Sequence, residues 1–237
     1  MSFQAKTDFF GLGASVAGIV LTDSTLNESA SVAEAADDRG DIIAKEVYGA
    51  TAAPSCDFVF KAKQTLNIIL GKVNTLTGPF AGKYCVTGYS VATSMGTEPK
   101  LTVSGQRLYD TATDSTTITP GTIDVSVYHK AQIFLGAFAL TGSGCHLQEN
   151  TLNVQATLTD ASKDGDMVAH DIHDGRITQS LKIVQTGSTI PTVTPANGFI
   201  ITSPLTRTEA DSDYFSWTCE LTKYLESVEH PVVLTPP

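Results

Sequence analysis

Thr25-Leu26-Asn27 returns as Thr151-Leu152-Asn153, and each triplet opens a run that recurs down the chain. Ala30, Ala35, Asp38, Gly40, Asp41, Ala44, Ser55 and Val59 reappear as Ala156, Ala161, Asp164, Gly165, Asp166, Ala169, Ser180 and Val184. With Arg39 taken as a one-residue insertion, 11 of 34 aligned positions are identical. Val32/Leu158, Glu34/Asp160, Ile43/Val168, Glu46/Asp171 and Val47/Ile172 are conservative pairs. A tandem duplication constrains the fold more than any composition does, because whatever buries one copy must bury the other, and a repeated unit usually repeats its contact.

The 237 residues therefore divide into two units of roughly 115 residues, each large enough for a core. The expected division is a first domain over 1–110, a linker over 111–121 and a second domain over 122–237. The linker reads Asp110-Thr-Ala-Thr-Asp-Ser-Thr-Thr-Ile-Thr-Pro-Gly121, polar and without periodicity up to its Pro-Gly turn signal. The likeness extends outward, with Leu12-Gly13-Ala14 answering Leu135-Gly136-Ala137 and Gly82-Lys-Tyr-Cys-Val-Thr87 answering Gly198-Phe-Ile-Ile-Thr202.

Short runs of Thr, Val, Ile and aromatic residues between Gly, Asp, Asn and Pro point to antiparallel β structure. The expected class is mainly β: two tandem antiparallel β-sandwich or barrel domains with one short helix. Strands are expected at 42–48, 56–61, 84–93, 100–105, 122–128, 152–158, 167–173, 181–185, 198–202 and 214–221. Asp37-Asp38-Arg39-Gly40-Asp41 and Lys163-Asp164-Gly165-Asp166 read as hairpin turns, where Gly takes positive φ and Asp bonds the local backbone. Alternation then puts Ile43 and Val47 on one buried face and Val168 and Ile172 on its equivalent. Leu66, Ile69 and Leu70 fall at helical spacing, which predicts the helix over 64–73; two prolines exclude one over 187–195.

Charged residues make up 17% of the chain and the net charge is −10, so the surface is largely Thr, Ser, Asn and Gly. Scarce Lys and Arg argue against tight phosphate contacts, though not against a surface along which nucleic acid slides. Cys56, Cys85, Cys145 and Cys219 are scattered without CxxC spacing and read as small core residues. The apolar run 9–21 abuts Asp8 with only Lys6 nearby, unlike a signal peptide, and no apolar run reaches about 18 residues. The expectation is assembly in the cytoplasm, with no membrane partner.

No catalytic, cofactor-binding or metal-binding residue is assigned, no cofactor is implied, and the chain is not expected to be an enzyme, since no GxSxG, HExxH or Walker loop occurs. Arg39-Gly40-Asp41 matches an adhesion tripeptide, but the second copy keeps Gly-Asp without the Arg, which a shared turn explains. His170 and His173, with His129 or His146, could be drawn into a metal site, yet residues three apart on a strand face opposite ways. Asp160, Asp164 and Asp166 lack EF-hand spacing. Trp217, beside Tyr214, could form a sugar platform, but a single Trp in an alternating strand is ordinarily core.

A duplicated β unit without a catalytic signature suits construction by contact, and sheet edges supply it: exposed strands leave N–H and C=O groups that another copy can complete. Fusing two copies of a subunit that closes a ring of six gives a ring of three chains. The run Leu158-Thr-Asp-Ala-Ser-Lys-Asp-Gly-Asp-Met-Val-Ala-His-Asp-Ile-His173, followed by Gly198-Phe-Ile-Ile-Thr-Ser and Asp213-Tyr-Phe-Ser-Trp217, resembles the small β domains of bacteriophage virion proteins, most of all tail tube proteins with two fused tube domains. That resemblance implies stacked trimeric, pseudo-hexameric rings forming a DNA conduit. It implies contacts with other tail or neck proteins, transient non-specific contact with genomic DNA, and residence in the virion tail after assembly in the host cytoplasm. The extended segments 1–8, 74–82 and 229–237 are the candidates for contact between rings. A head-decoration or head-to-tail connector protein, and a surface carbohydrate-binding or adhesion module, are the alternatives.

Overall fold

A computed structural model describes residues 6–15, 17–108, 118, 120–125, 131–160, 169–209 and 214–225. The mainly-β expectation holds: the described residues form antiparallel sheets with a single helical turn, α1 (Leu12–Ser15), and one 3₁₀ turn, Phe134–Gly136. In chain order the strands are β1 (Ile19–Ala36), β2 (Ile42–Phe60), β3 (Gln64–Leu66), β4 (Val73–Leu76), β5 (Gly82–Ser94), β6 (Lys100–Leu108) and β7 (Ile123–Val125). Then follow β8 (Phe138–Thr141), β9 (Cys145–Asp160), β10 (Ala169–Gln185), β11 (Thr192–Pro195), β12 (Ile200–Glu209) and β13 (Phe215–Leu225).

Both copies lie in one sheet ordered β1-β2-β6-β5-β9-β10-β13-β12, with β4 also pairing with β5. The order β1-β2-β6-β5 is matched strand for strand by β9-β10-β13-β12. The copies meet where the last strand of the first, β5, pairs with the first strand of the second, β9.

The duplication extends to the register. Thr25 pairs with Ser55 as Thr151 pairs with Ser180, and Val20 with Val59 as His146 with Val184. In β1·β2 the ladder slips at Thr22, between Leu21↔Phe58 and Asp23↔Asp57. In β9·β10 it slips at the equivalent Gln148, between Leu147↔Ile183 and Glu149↔Lys182. A second irregularity falls between Ser29↔Thr51 and Ser31↔Tyr48, and its counterpart between Gln155↔Arg176 and Thr157↔His173. A third, at Thr87 in β5·β6, recurs at Thr202 in β12·β13, where each hydroxyl donates to the carbonyl of an equivalent residue, Ser104 or Glu220, at 3.4 Å. Bulges re-aim strands and are inherited as part of a fold, so matched bulges support common descent independently of residue identity.

One face of the sheet is covered. Phe58, Phe60, Tyr84, Tyr89, Val91, Leu101, Val103, Leu152, Val154, Ile177 and Leu221 point to that side and pack against Phe9, Phe10, Leu12, Leu66, Leu70, Ile123, Phe134 and Phe138 in a single buried cluster. The small sheets β3·β7 and β8·β11 belong to this cover. Gly105 admits it closely: a Cβ there would stand 2.3 Å from the Cys85 carbonyl oxygen and 2.5 Å from the Phe10 ring. β7 reaches back from the second copy's segment to pair with β3, and Ile118, buried, bridges to Leu70.

Two expectations are corrected. No helix forms over 64–73; Leu66, Ile68 and Leu70 are buried in alternation along extended chain, with a bridge at Leu70, so the operative period is two and the apparent helical spacing of Ile69 is incidental. Ile43 is not on a buried face. It is 67% exposed and its neighbour Ile42 is 58% exposed. β6 pairs with β2 only over Ser55–Val59, so beyond the buried Pro54 the β1·β2 hairpin continues as an arm with no further described strand beside β2. The side chains of Val47 and Ile172, and residue Val168, lie outside the described residues.

Candidate assembly edges

The outer strands of the sheet are β1 and β12, and no other described strand pairs with either one's outer edge. Within the chain, the strands equivalent to them do have partners there. β5, the counterpart of β12, joins β9, the counterpart of β1, in an antiparallel ladder from Gly88↔Gln155 through Tyr89↔Val154, Val91↔Leu152 and Ala92↔Thr151 to Ser94↔Glu149. The two open edges are thus the two halves of a contact the molecule already makes once. Strand direction agrees as well: every neighbour in the eight-strand order is antiparallel, so β12 and a following β1 stand in the same relation as β5 and β9.

The internal junction is dry on its covered face, with Tyr89, Val91, Leu152 and Val154 all buried. Beside them runs a buried polar chain. Gln179 donates through Nε2 to Asn150 Oδ1 at 2.9 Å, Asn150 Nδ2 donates to the Gln132 carbonyl, and Thr93 Oγ1 donates to the Asn150 carbonyl at 3.3 Å. This chain ties β5, β9, β10 and the segment between the copies together, and it is directional where the apolar contacts are not.

The other face of the sheet is open and rich in hydroxyl and amide groups. Thr25, Asn27, Ser55, Thr102, Ser104, Ser90, Thr151, Asn153, Gln155, Thr178, Ser180 and Thr218 alternate with the core residues on successive strands. Its charges are mixed. Asp23, Asp57, Glu149 and Glu220 stand with Lys100, Arg176 and Lys182; Lys182 Nζ lies 3.3 Å from Glu149 Oε1, and Thr102 donates to Asp57 at 2.7 Å. A shallow hollow of about 470 Å³ crosses the junction here, lined by Thr87, Ser104, Gln155, Arg176 and Tyr224.

Arg39, Gly40 and Asp41 are exposed at the β1·β2 turn, where Gly40 has φ 86° and Asp37 Oδ1 accepts from the N–H groups of Arg39 and Asp41, each at 2.9 Å. The matching turn at 163–166 lies outside the described residues, as do Ala161, His129 and the side chains of Asp160, His170 and His173. His146 is exposed, and among the described residues no group of three His, Cys, Asp or Glu is placed to hold a metal ion. Trp217 is half-buried against the core and donates through Nε1 to Gln185 Oε1 at 2.8 Å, which makes it a packing residue, while Tyr214 is exposed.

The cysteines are free thiols, with Cys56, Cys85 and Cys219 buried and Cys145 half-buried. Burial pushes the Cys56 thiol up to about 12, assisted by the carboxylates of Asp8 and Asp57 and opposed by a backbone hydrogen bond at Phe9. Segment 229–237 and residues 1–5 lie outside the described residues, and no described helix is long and apolar enough to cross a membrane. No protein family matches the sequence, and no curated protein matches it either.

Proposed function

We propose that the chain is a structural virion protein, a tail tube subunit whose copies associate edge to edge into rings of three chains that stack around a DNA path. The observation that carries this reading is the relation between the open edges and the internal junction: a β5·β9-type contact repeated between chains uses every edge once. A heterologous contact of this kind adds strands in one direction only, and a ring forms when the rotation per unit closes. Six repeat units then come from three chains.

The open face supports a conduit. Hydroxyl and amide side chains hold water, and among the described residues Asp23, Asp57, Glu149 and Glu220 are interspersed with Lys100, Arg176 and Lys182, which breaks up a positive track for phosphates to grip. DNA passing such a surface meets few strong, local traps.

Electron microscopy of the purified chain at high concentration tests the reading, with three-chain rings or tubes expected. Immunogold labelling of tailed particles tests the location, with label expected along the tail. Particles that stay monomeric, or label confined to the head shell or to one ring at the neck, would overturn it.

A further inference from the structure

The repeat fixes more than the existence of an edge contact; it fixes its register and the side chains that meet there. Equivalences follow from the ladders. Ser55↔Ser104 corresponds to Ser180↔Glu220, so Thr102 corresponds to Thr218 and Leu101 to Trp217. Their partners in the next strand, Ser90 and Val91, then correspond to Thr206 and Arg207, and Ala92 to Thr208. On the other side, Thr151, Leu152, Asn153 and Val154 correspond to Thr25, Leu26, Asn27 and Glu28.

We infer that β12 of one chain pairs antiparallel with β1 of a second copy in the register Thr206↔Asn27 and Thr208↔Thr25, bringing Arg207 of one copy diagonally across from Glu28 of the other. This rests on the ring reading and names its contact. The internal pairs copied are Ser90↔Asn153 and Ala92↔Thr151. In that ladder Val91 and Val154 occupy diagonal positions on the covered face, both fully buried. At the open edges the same two positions hold Arg207 and Glu28, both exposed.

The replacement of an apolar diagonal by one basic and one acidic residue commits the occupant to another copy of this chain. Each edge alone presents a charge on its inward face, a feature that discourages indiscriminate strand pairing. The two edges together bring opposite charges within reach across a ladder, where diagonal neighbours lie about 7–8 Å apart between Cα atoms. The Arg207 guanidinium carbon lies 3.7 Å from the centre of the Phe215 ring. An unrelated partner strand would meet one charge or the other without its complement.

Paired cysteines and a charge swap test this. Thr25 and Thr208 are both exposed, and directly opposed residues of an antiparallel ladder lie within disulfide reach. The Thr25→Cys/Thr208→Cys chain, oxidised under native conditions, is expected to give an interchain ladder ending at a covalent trimer. Thr25→Cys/Thr206→Cys, two residues out of register, and each single variant are expected to give none beyond the wild-type background. Glu28→Arg alone and Arg207→Glu alone are expected to lower association at least tenfold by sedimentation, with circular dichroism unchanged, and the double swap to restore it.

Rings that form yet cross-link only in the shifted register, or a double swap no better than the singles, would overturn the register while leaving the tube reading in place. Absence of any association would overturn both. An interchain ladder that runs past the trimer would support the register and overturn the three-chain ring.

Discussion

The β1·β2 and β9·β10 hairpins share a register and two matched irregularities, yet one is the edge of the sheet and the other its middle. The residues that differ between them follow that distinction. Asn150 and Gln179, fully buried and hydrogen-bonded to one another, answer Ser24 and Pro54 in the first hairpin. Val154, fully buried, answers the exposed Glu28. Glu149 and Lys182 pair as opposite charges where Asp23 and Asp57 stand opposite one another as like charges, relieved by Lys6 at 3.7 Å and by Thr102. Backbone geometry has been kept while side chains diverged, and the divergence records whether a neighbouring strand is already present.

Exchanging the diagnostic residue between the two settings gives the largest expected effect. Val154→Glu places the edge residue in the junction, where an unpaired carboxylate is stripped of water; unfolding in denaturant should show a loss of about 3–5 kcal/mol. Glu28→Val makes the reverse exchange on an exposed position, and the same measurement should move by no more than about 0.5 kcal/mol. Equal costs at the two positions would remove the distinction between edge and middle.

The polar chain at the junction comes next. Asn150→Ala takes the acceptor from Gln179 Nε2 and the donor from the Gln132 carbonyl, which leaves buried groups without those partners. A loss of about 1–3 kcal/mol is expected, measured by chemical denaturation. Its counterpart, Ser24→Ala, on the half-buried first strand should cost less than half as much.

Much of the fold was legible from residues because most strands announce themselves by composition: Tyr-Cys-Val in β5, Leu-Thr-Val in β6 and Leu-Lys-Ile-Val in β10 all fall inside expected strands. β1 was not among them. Beyond Leu21, Ser, Glu, Asn and Ala outnumber the strand-favouring Thr22, Thr25 and Val32, and its ladder with β2 holds it extended. Its bulges also break the alternation that would have marked a face. The edges as a site were legible only in general terms: scarce Lys and Arg and a repeat suggest pairing, whereas the identity of the two edges depends on a strand order that connects residues more than 100 positions apart. Glu28 and Arg207 carry no motif, and only their equivalence to Val154 and Val91 singles them out.

Alkaline pH probes the covered face in both copies. Cys56 is pushed up to about 12 from 9.0, and burial also raises Cys219 in the second copy and Tyr89 at the junction. The unfolded thiol releases its proton near its ordinary value while the folded one retains it, so the stabilisation is complete below about pH 9 and is lost as pH rises toward 12. Cys56 contributes a slope of up to about 1.4 kcal/mol per pH unit in that window. Thermal unfolding followed between pH 8 and 11 should therefore show a falling midpoint, and Cys56→Ala should flatten the decline without changing its onset from Cys219. A midpoint constant over this range would mean that the covered face admits water.

The smallest effect is expected where the pattern of residues promised a large one. Read by alternation alone, Ile43 belongs to a buried face, and a charge there should cost about 2–4 kcal/mol. The structure leaves it 67% exposed on the β1·β2 arm, beyond the reach of β6, where a charged side chain keeps its water. Ile43→Asp should then change the unfolding free energy by no more than about 0.5 kcal/mol, measured by chemical denaturation. Alternation shows that two faces differ, but burial needs a layer behind one of them, and no described layer stands behind the arm at Ile43. A cost near the larger figure for the isolated chain would show that something covers the arm, and would move the limit of the core outward to include it.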